Sequence, residues 1–131
     1  FIDGLHLAEQ VERDIANGLK YLNDGGFIIL HDCNPPTELN ARESYICRIS
    51  PVMDYWNGTT WKAFFKYRKN PAVFSCCIDT DWGIGIISKD VNLGKTSIIE
   101  NSFFEFNVMD ATRKDSLNLI SFEELKRKIK S

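Results

Sequence analysis

The apolar positions of the chain change period along its length, and the changes mark its elements. Phe1-Ile2 and Phe27-Ile28-Ile29-Leu30 are short runs of β-formers, followed by Asp3 and, after His31, by Asp32. Between them Leu7, Val11, Ile15, Leu19 and Leu22 recur at helical spacing, with Glu9, Glu12, Arg13 and Lys20 facing elsewhere. Asn23-Asp24-Gly25-Gly26 ends that helix, because glycine enters the left-handed conformation at little cost. Strand, helix, strand with short connections predicts a right-handed βαβ unit with parallel neighbouring strands. The unbroken run Phe27 to Leu30 predicts a strand covered on both faces. Asn34-Pro35-Pro36 stops it, since proline cannot donate to a ladder.

Residues 37–58 mix polar and apolar positions, contain Pro51 and Asn57-Gly58, and read as a long loop on the active-site side with one helical turn. Thr59 or Thr60 is placed to cap a helix from Trp61 to about Lys69, with Trp61, Phe64 and Phe65 inward and Lys62, Lys66 and Lys69 outward. Ala72 to Ile78 and Gly83 to Ser88 read as strands. The short Asp79-Thr80-Asp81-Trp82 connection makes them antiparallel, and its aspartates read as turn formers. Asp90 to Asn101 reads as surface loop. Phe103, Phe104 and Phe106 form an aromatic cluster suited to packing or to an interface. Ser121-Phe122-Glu123-Glu124 is a capping box for a last helix anchored by Phe122, Leu125 and Ile129.

At 131 residues and 44% hydrophobic content the chain suits one domain with a real core. A net charge of −2 argues against nucleic acid or anionic membrane as a partner. No apolar run approaches the ~18 residues of a membrane span. Cys33, Cys47, Cys76 and Cys77 lack paired C-x-x-C spacing, which argues against a zinc knuckle and for reduced, buried thiols in a cytoplasmic protein. Cys76 and Cys77 would point to opposite faces of their strand. The chain opens without methionine inside a strand pattern, so further residues are expected before Phe1.

In open parallel sheets the ligand site lies beyond the carboxyl ends of the strands. Asp3, His6, His31 and Asp32 fall there, and adjacent strands lie about 4.8 Å apart, so both carboxylates can face one site. The chain's only two histidines are both among these four residues. The plainer alternatives are that Asp3 and His6 serve the helix start and that Asp32 tethers a loop.

The pattern Phe1-Ile2-Asp3-Gly4-Leu5-His6, Asp14, Gly25-Gly26, His31-Asp32 and Pro35-Pro36 resembles the small-molecule and sugar O-methyltransferase-like group of class I S-adenosylmethionine-dependent methyltransferases. Thr60-Trp61-Lys62-Ala63 and Asp79-Thr80-Asp81-Trp82-Gly83 extend the likeness to about residue 89. The resemblance implies an α/β fold: a partial Rossmann-like methyltransferase sheet with flanking helices. Its strands would be the fourth to seventh of that fold, the last one antiparallel and inserted beside the fifth. Residues 1–131 would then be the C-terminal part of the domain, with a core of about 1–89, an extension of about 90–131, and the cofactor's glycine-rich turn and ribose-binding acid lying upstream. Gly25-Gly26 and Gly83-Ile84-Gly85 lack the strand-to-helix context of such a turn.

The resemblance also implies a divalent metal, Mg²⁺ or Mn²⁺, on Asp3, His31 and Asp32, where metal-dependent relatives carry oxygen ligands. An imidazole at His31 would suit Mn²⁺, Fe²⁺ or Zn²⁺ better than Mg²⁺. His6 would be the general base. The activity implied is methyl transfer from S-adenosylmethionine to a hydroxyl of a small-molecule or sugar acceptor, with this chain alone inactive. The exposed first strand would favour a homo-oligomer. Two alternatives stand beside it: a metal-dependent hydrolase or oxygenase using the same Asp/His set, and a non-catalytic α/β binding module.

Overall fold

The computed structural model describes residues 1–45 and 55–130. The first helix, α1 (Ala8–Tyr21), buries Val11 and Ile15, the centre of the apolar stripe. It leads into β1 (Ile28–Leu30). Ile2 forms one parallel bridge with Leu30, in which the Ile2 amide donates to the Ile29 carbonyl and the His31 amide to the Ile2 carbonyl. The expected first strand is thus a single bridge, and the parallel crossover between it and β1 is as the pattern predicts.

Helix α2 (Thr60–Arg68) buries Trp61, Phe64 and Phe65. The Thr59 hydroxyl does not cap it. That oxygen instead accepts the Ala8 amide, 2.8 Å away, and so caps α1 from across the fold. Strands β2 (Phe74–Ile78) and β3 (Ile84–Ser88) form the antiparallel hairpin. β3 also pairs antiparallel with β1, Ile28 opposite Ile87 and Leu30 opposite Gly85. The inserted antiparallel strand therefore lies between β1 and β2, as expected. The parts of 37–58 that are described, 37–45 and 55–58, contain no helix or strand. Cys47 and Pro51 lie outside the described residues.

The C-terminal part carries more structure than its sequence pattern suggested: α3 (Phe106–Ala111), α4 (Arg113–Leu117), β4 (Leu119–Ile120) and α5 (Phe122–Lys130). β4 pairs parallel with β2 and gives the sheet order β1-β3-β2-β4. The reading of 90–101 as surface loop needs correction at Leu93, which is fully buried. Ser121 and Glu124 form the expected reciprocal cap: the Glu124 carboxylate accepts the Ser121 amide, and the Ser121 hydroxyl accepts the Glu124 amide. Of the three expected anchors of α5 only Leu125 is buried; Phe122 and Ile129 are exposed. Phe104 and Phe106 pack edge-on against Phe65 and Trp61, while Phe103 points to solvent.

Two clusters make the core. On one sheet face α1 and α2 pack Val11, Ile15, Trp61, Phe64 and Phe65 against Ile28, Leu30, Cys77 and Ile87. Gly85 permits this approach: a Cβ there would lie 2.6 Å from the Cys33 sulfur and 3.0 Å from the Phe64 ring. The other face holds the smaller cluster Cys76, Ile78, Ile86, Leu93, Ile120 and Leu125. Cys76 and Cys77 thus face opposite ways, and Cys33, Cys76 and Cys77 are free and buried. Ile29 corrects the expectation of a strand covered on both faces: at 37% exposure it shows that the second cluster does not extend over β1.

Candidate functional site

The end of β1 sets the site. Past Leu30 the chain leaves the ladder, and Asp32 takes a left-handed conformation (φ 64°) while its side chain is buried. A non-glycine residue there is strained, and aspartate tolerates the region better than most. The Cys33 and Asn34 amides donate to the Gly83 and Trp82 carbonyls, so the β2–β3 turn is tied to the carboxyl end of β1. Antiparallel insertion of β3 beside β1 dictates this, because the start of β3 must meet the end of β1.

Asp3, His6 and Asp32 converge, with one ligand atom of each within 4.8 Å of the others. His6 Nε2 is 3.2 Å from Asp3 Oδ1 and 3.3 Å from Asp32 Oδ2. His6 Nδ1 is 2.8 Å from the Trp56 carbonyl oxygen. A carbonyl only accepts, so Nδ1 carries the proton and donates. In the neutral ring Nε2 then aims a lone pair at two carboxylate oxygens, an arrangement that requires a proton or a metal cation among the three atoms. The Trp56 ring stacks on His6, centroids 5.3 Å apart.

His31 stands differently. Its Nδ1 is 3.0 Å from Asp32 Oδ2 and 3.9 Å from Asp3 Oδ1, and its Nε2 is 3.2 Å from Asp81 Oδ2. Each ring nitrogen of His31 thus faces a carboxylate oxygen. Partial burial opposes a positive charge on the ring, but the hydrogen bond and charge of Asp32, with Asp81 and Asp3, outweigh it and raise the His31 pKa above 6.5. The four residues expected at the site are therefore brought together. The three-atom group, however, is Asp3, His6 and Asp32, with His31 beside it rather than in it.

Further described residues surround the site. Asp81, expected only as a turn former, reaches His31 from the hairpin turn. Asp79, in the same turn, accepts a hydrogen bond from the Asn34 side-chain Nδ2 instead. Asn57 donates to Asp32 Oδ1 at 2.8 Å, and Trp56 supplies the carbonyl for His6. Gly58 abuts His6 so closely that a Cβ would lie 2.0 Å from the His6 carbonyl oxygen. Sequence reasoning placed 37–58 on the site's side but offered no signal for Trp56 and Asn57.

The donor set fits a divalent cation: two carboxylate oxygens and one imidazole nitrogen whose other nitrogen is fixed by a carbonyl, a common arrangement behind a metal-bound histidine. No helix among the described residues is long and apolar enough to cross a membrane. No curated protein and no solved structure matches the chain. Residues 1–33, the span that contains Asp3, His6, His31 and Asp32, match a family model described as a methyltransferase domain, which supports a methyltransferase domain for this part of the chain.

Proposed function

We propose that residues 1–131 are the C-terminal part of an S-adenosylmethionine-dependent methyltransferase that methylates a hydroxyl of a small-molecule or sugar acceptor with help from a divalent cation. The observation that carries the reading is the coincidence of the matched methyltransferase span with the convergent Asp3, His6, His31 and Asp32. S-Adenosylmethionine supplies an electrophilic methyl carbon when bound. The described residues contain no glycine-rich strand-to-helix turn to cradle it, so this part of the protein supplies the acceptor side of the site. The open edge at Phe1–Asp3 is where the preceding part of the domain, or a second copy, would pair.

Asp3, His6 and Asp32 would hold the cation, Mg²⁺ or Mn²⁺, and the imidazole favours Mn²⁺. Such a cation lowers the pKa of a bound hydroxyl and so makes it a better nucleophile. This exchanges the roles expected of the two histidines: His6 becomes a ligand, and His31 stands between the carboxylates of Asp32 and Asp81. The Trp56 carbonyl favours a second reading, in which His6 Nε2 is the general base of a metal-free reaction. Transfer of a labelled methyl group in the complete protein tests both. Asp32→Asn keeps a residue that tolerates the left-handed backbone and should lower turnover by about 10²–10³-fold with the fold intact. Unchanged turnover would exclude Asp32 from the reaction. Loss of activity on chelation and its return with Mn²⁺ favours the cation; indifference to chelation favours His6 as base.

A further inference from the structure

We propose that Asn57 is the positioning residue of the acidic cluster, holding the Asp32 carboxylate in the one orientation that presents Oδ2 to His6 and the cation. The inference rests on the cation reading above and deepens it. An aspartate carboxylate swings easily about its last torsion, which is broad and roughly two-fold. Asp32 is held at both ends of that swing: Oδ1 by the Asn57 amide nitrogen at 2.8 Å, Oδ2 by His31 Nδ1 at 3.0 Å. Among the described residues, Asn57 is the side chain that donates to Oδ1.

Asn57 is built for this task. It is 1% exposed, and its own amide and that of Gly58 both donate to the Asn40 carbonyl at 3.0 Å. On either side of it the chain grips His6: the Trp56 carbonyl accepts Nδ1, and the Thr59 amide donates to the His6 carbonyl at 2.8 Å. The segment 56–59 thus fixes an imidazole and a carboxylate that lie far apart in sequence.

The orientation of the Asn57 amide is dictated by its neighbour. Flipped, its oxygen would face Asp32 Oδ1, acceptor against acceptor. As placed, the Asn57 oxygen is buried with no hydrogen-bond partner among the described residues. A buried acceptor left unpaired is unfavourable, and a residue chosen for stability alone would be apolar here. The orphaned oxygen accompanies the donor that Asp32 requires, which points to the site rather than to packing as the reason for asparagine.

The test uses Mn²⁺ alone as the probe, titrated calorimetrically into the complete protein and into its Asn57→Leu variant, which keeps the branched shape and loses the donor. The variant should bind Mn²⁺ about tenfold to hundredfold more weakly, the usual effect of removing a group that orients a metal ligand, at a temperature where circular dichroism shows both proteins folded. Affinity within twofold of the parent, with or without a lower Tm, overturns the proposal. A second measurement needs neither metal nor a folded Leu variant. The side-chain NH₂ resonances of Asn57 in the metal-free protein should shift on Asp32→Asn; resonances that do not move overturn the inference. Failure of the complete protein to bind Mn²⁺ retires the cation reading by itself, and the NMR result then decides whether Asn57 orients Asp32.

Discussion

On the sheet face that carries Ile28, Leu30, Cys77 and Ile87, two helices lay down Val11, Ile15, Trp61, Phe64 and Phe65, whereas the opposite face receives Leu93, Ile120 and Leu125 from the C-terminal part and leaves Ile29 over a third exposed. The first face is built from the segment that also carries Asp3, His6 and Asp32, and its packing runs up to the site through Cys33 and Gly85. Among the described residues the second is covered only where β2, β3 and β4 lie. Burial of large side chains, roughly 1.5–3 kcal/mol each, is therefore concentrated on the face that positions the chemistry. The C-terminal part covers the far side of the sheet and also lends Met109 and Leu117 to the first cluster; beside the site, Arg113 bonds the Asn34 side chain and the Pro35 carbonyl.

The strongest challenge to this asymmetry is Phe64→Ala. Phe64 is fully buried and touches β3 where Gly85 admits it. Removal should cost about 3–5 kcal/mol, read from urea unfolding, and in a domain of this size that leaves little stability. A loss below about 1 kcal/mol would mean that the α2 face is not the main core.

Leu125→Ala makes the matching change on the second face and should cost about 2 kcal/mol, the lower end for a buried leucine, because its cluster is small. It also has a chemical readout. Burial raises the Cys76 thiol to about 12, with Lys128 on α5 and Arg68 pulling partly back; Cys33 and Cys77 are raised as well, by burial on the first face. All three should resist alkylation at pH 8 in the parent chain. In Leu125→Ala, Cys76 should react first, as resolved by peptide mapping. Equal labelling of Cys76 and Cys77 would show that the two faces open together.

How much of this was legible follows from how local each signal is. The α1 stripe, the β2–β3 hairpin and the capping box are written in runs of neighbours, and each is found where the pattern put it. Asp3, His6, His31 and Asp32 could be located because topology alone sends strand ends to one edge of a sheet. β4 has two residues and α4 five, too short for any period to show. Ile29 misled because an unbroken apolar run carries no information about which face is covered. The amphipathic spacing of Phe122 and Ile129 suggested anchors for which α5 has no surface to meet. Asn57 acts through a contact 25 residues away in sequence, and nothing local marks it.

A smaller effect is expected from Ser121→Ala, which removes one half of the cap on α5 and should cost about 1 kcal/mol. The Ser121 amide and hydroxyl hold the Glu124 carboxyl below its ordinary value of 4.5. A lowered folded pKa contributes stability above the unfolded value and loses it as pH falls through the folded one. The parent's advantage over Ser121→Ala in Tm should therefore be full above pH 4.5 and fade below it. A difference independent of pH would mean that the hydroxyl acts without Glu124.

The smallest effect, and the sharpest test of the comparison, belongs to Ile29→Thr. Ile29 alternates with the buried Ile28 and Leu30 and faces the half of the sheet that the second cluster leaves open. Threonine keeps the branched β-carbon that suits a strand, so only the burial of one partly exposed side chain is lost. The urea midpoint should correspond to a change within about 0.5 kcal/mol, while Leu30→Thr, on the covered face, should cost several times more. A large loss at Ile29 would require that something covers β1 on this side in solution. If that loss depended on protein concentration, the cover would be a second copy of the chain, and the uneven sheet would be half of a shared core.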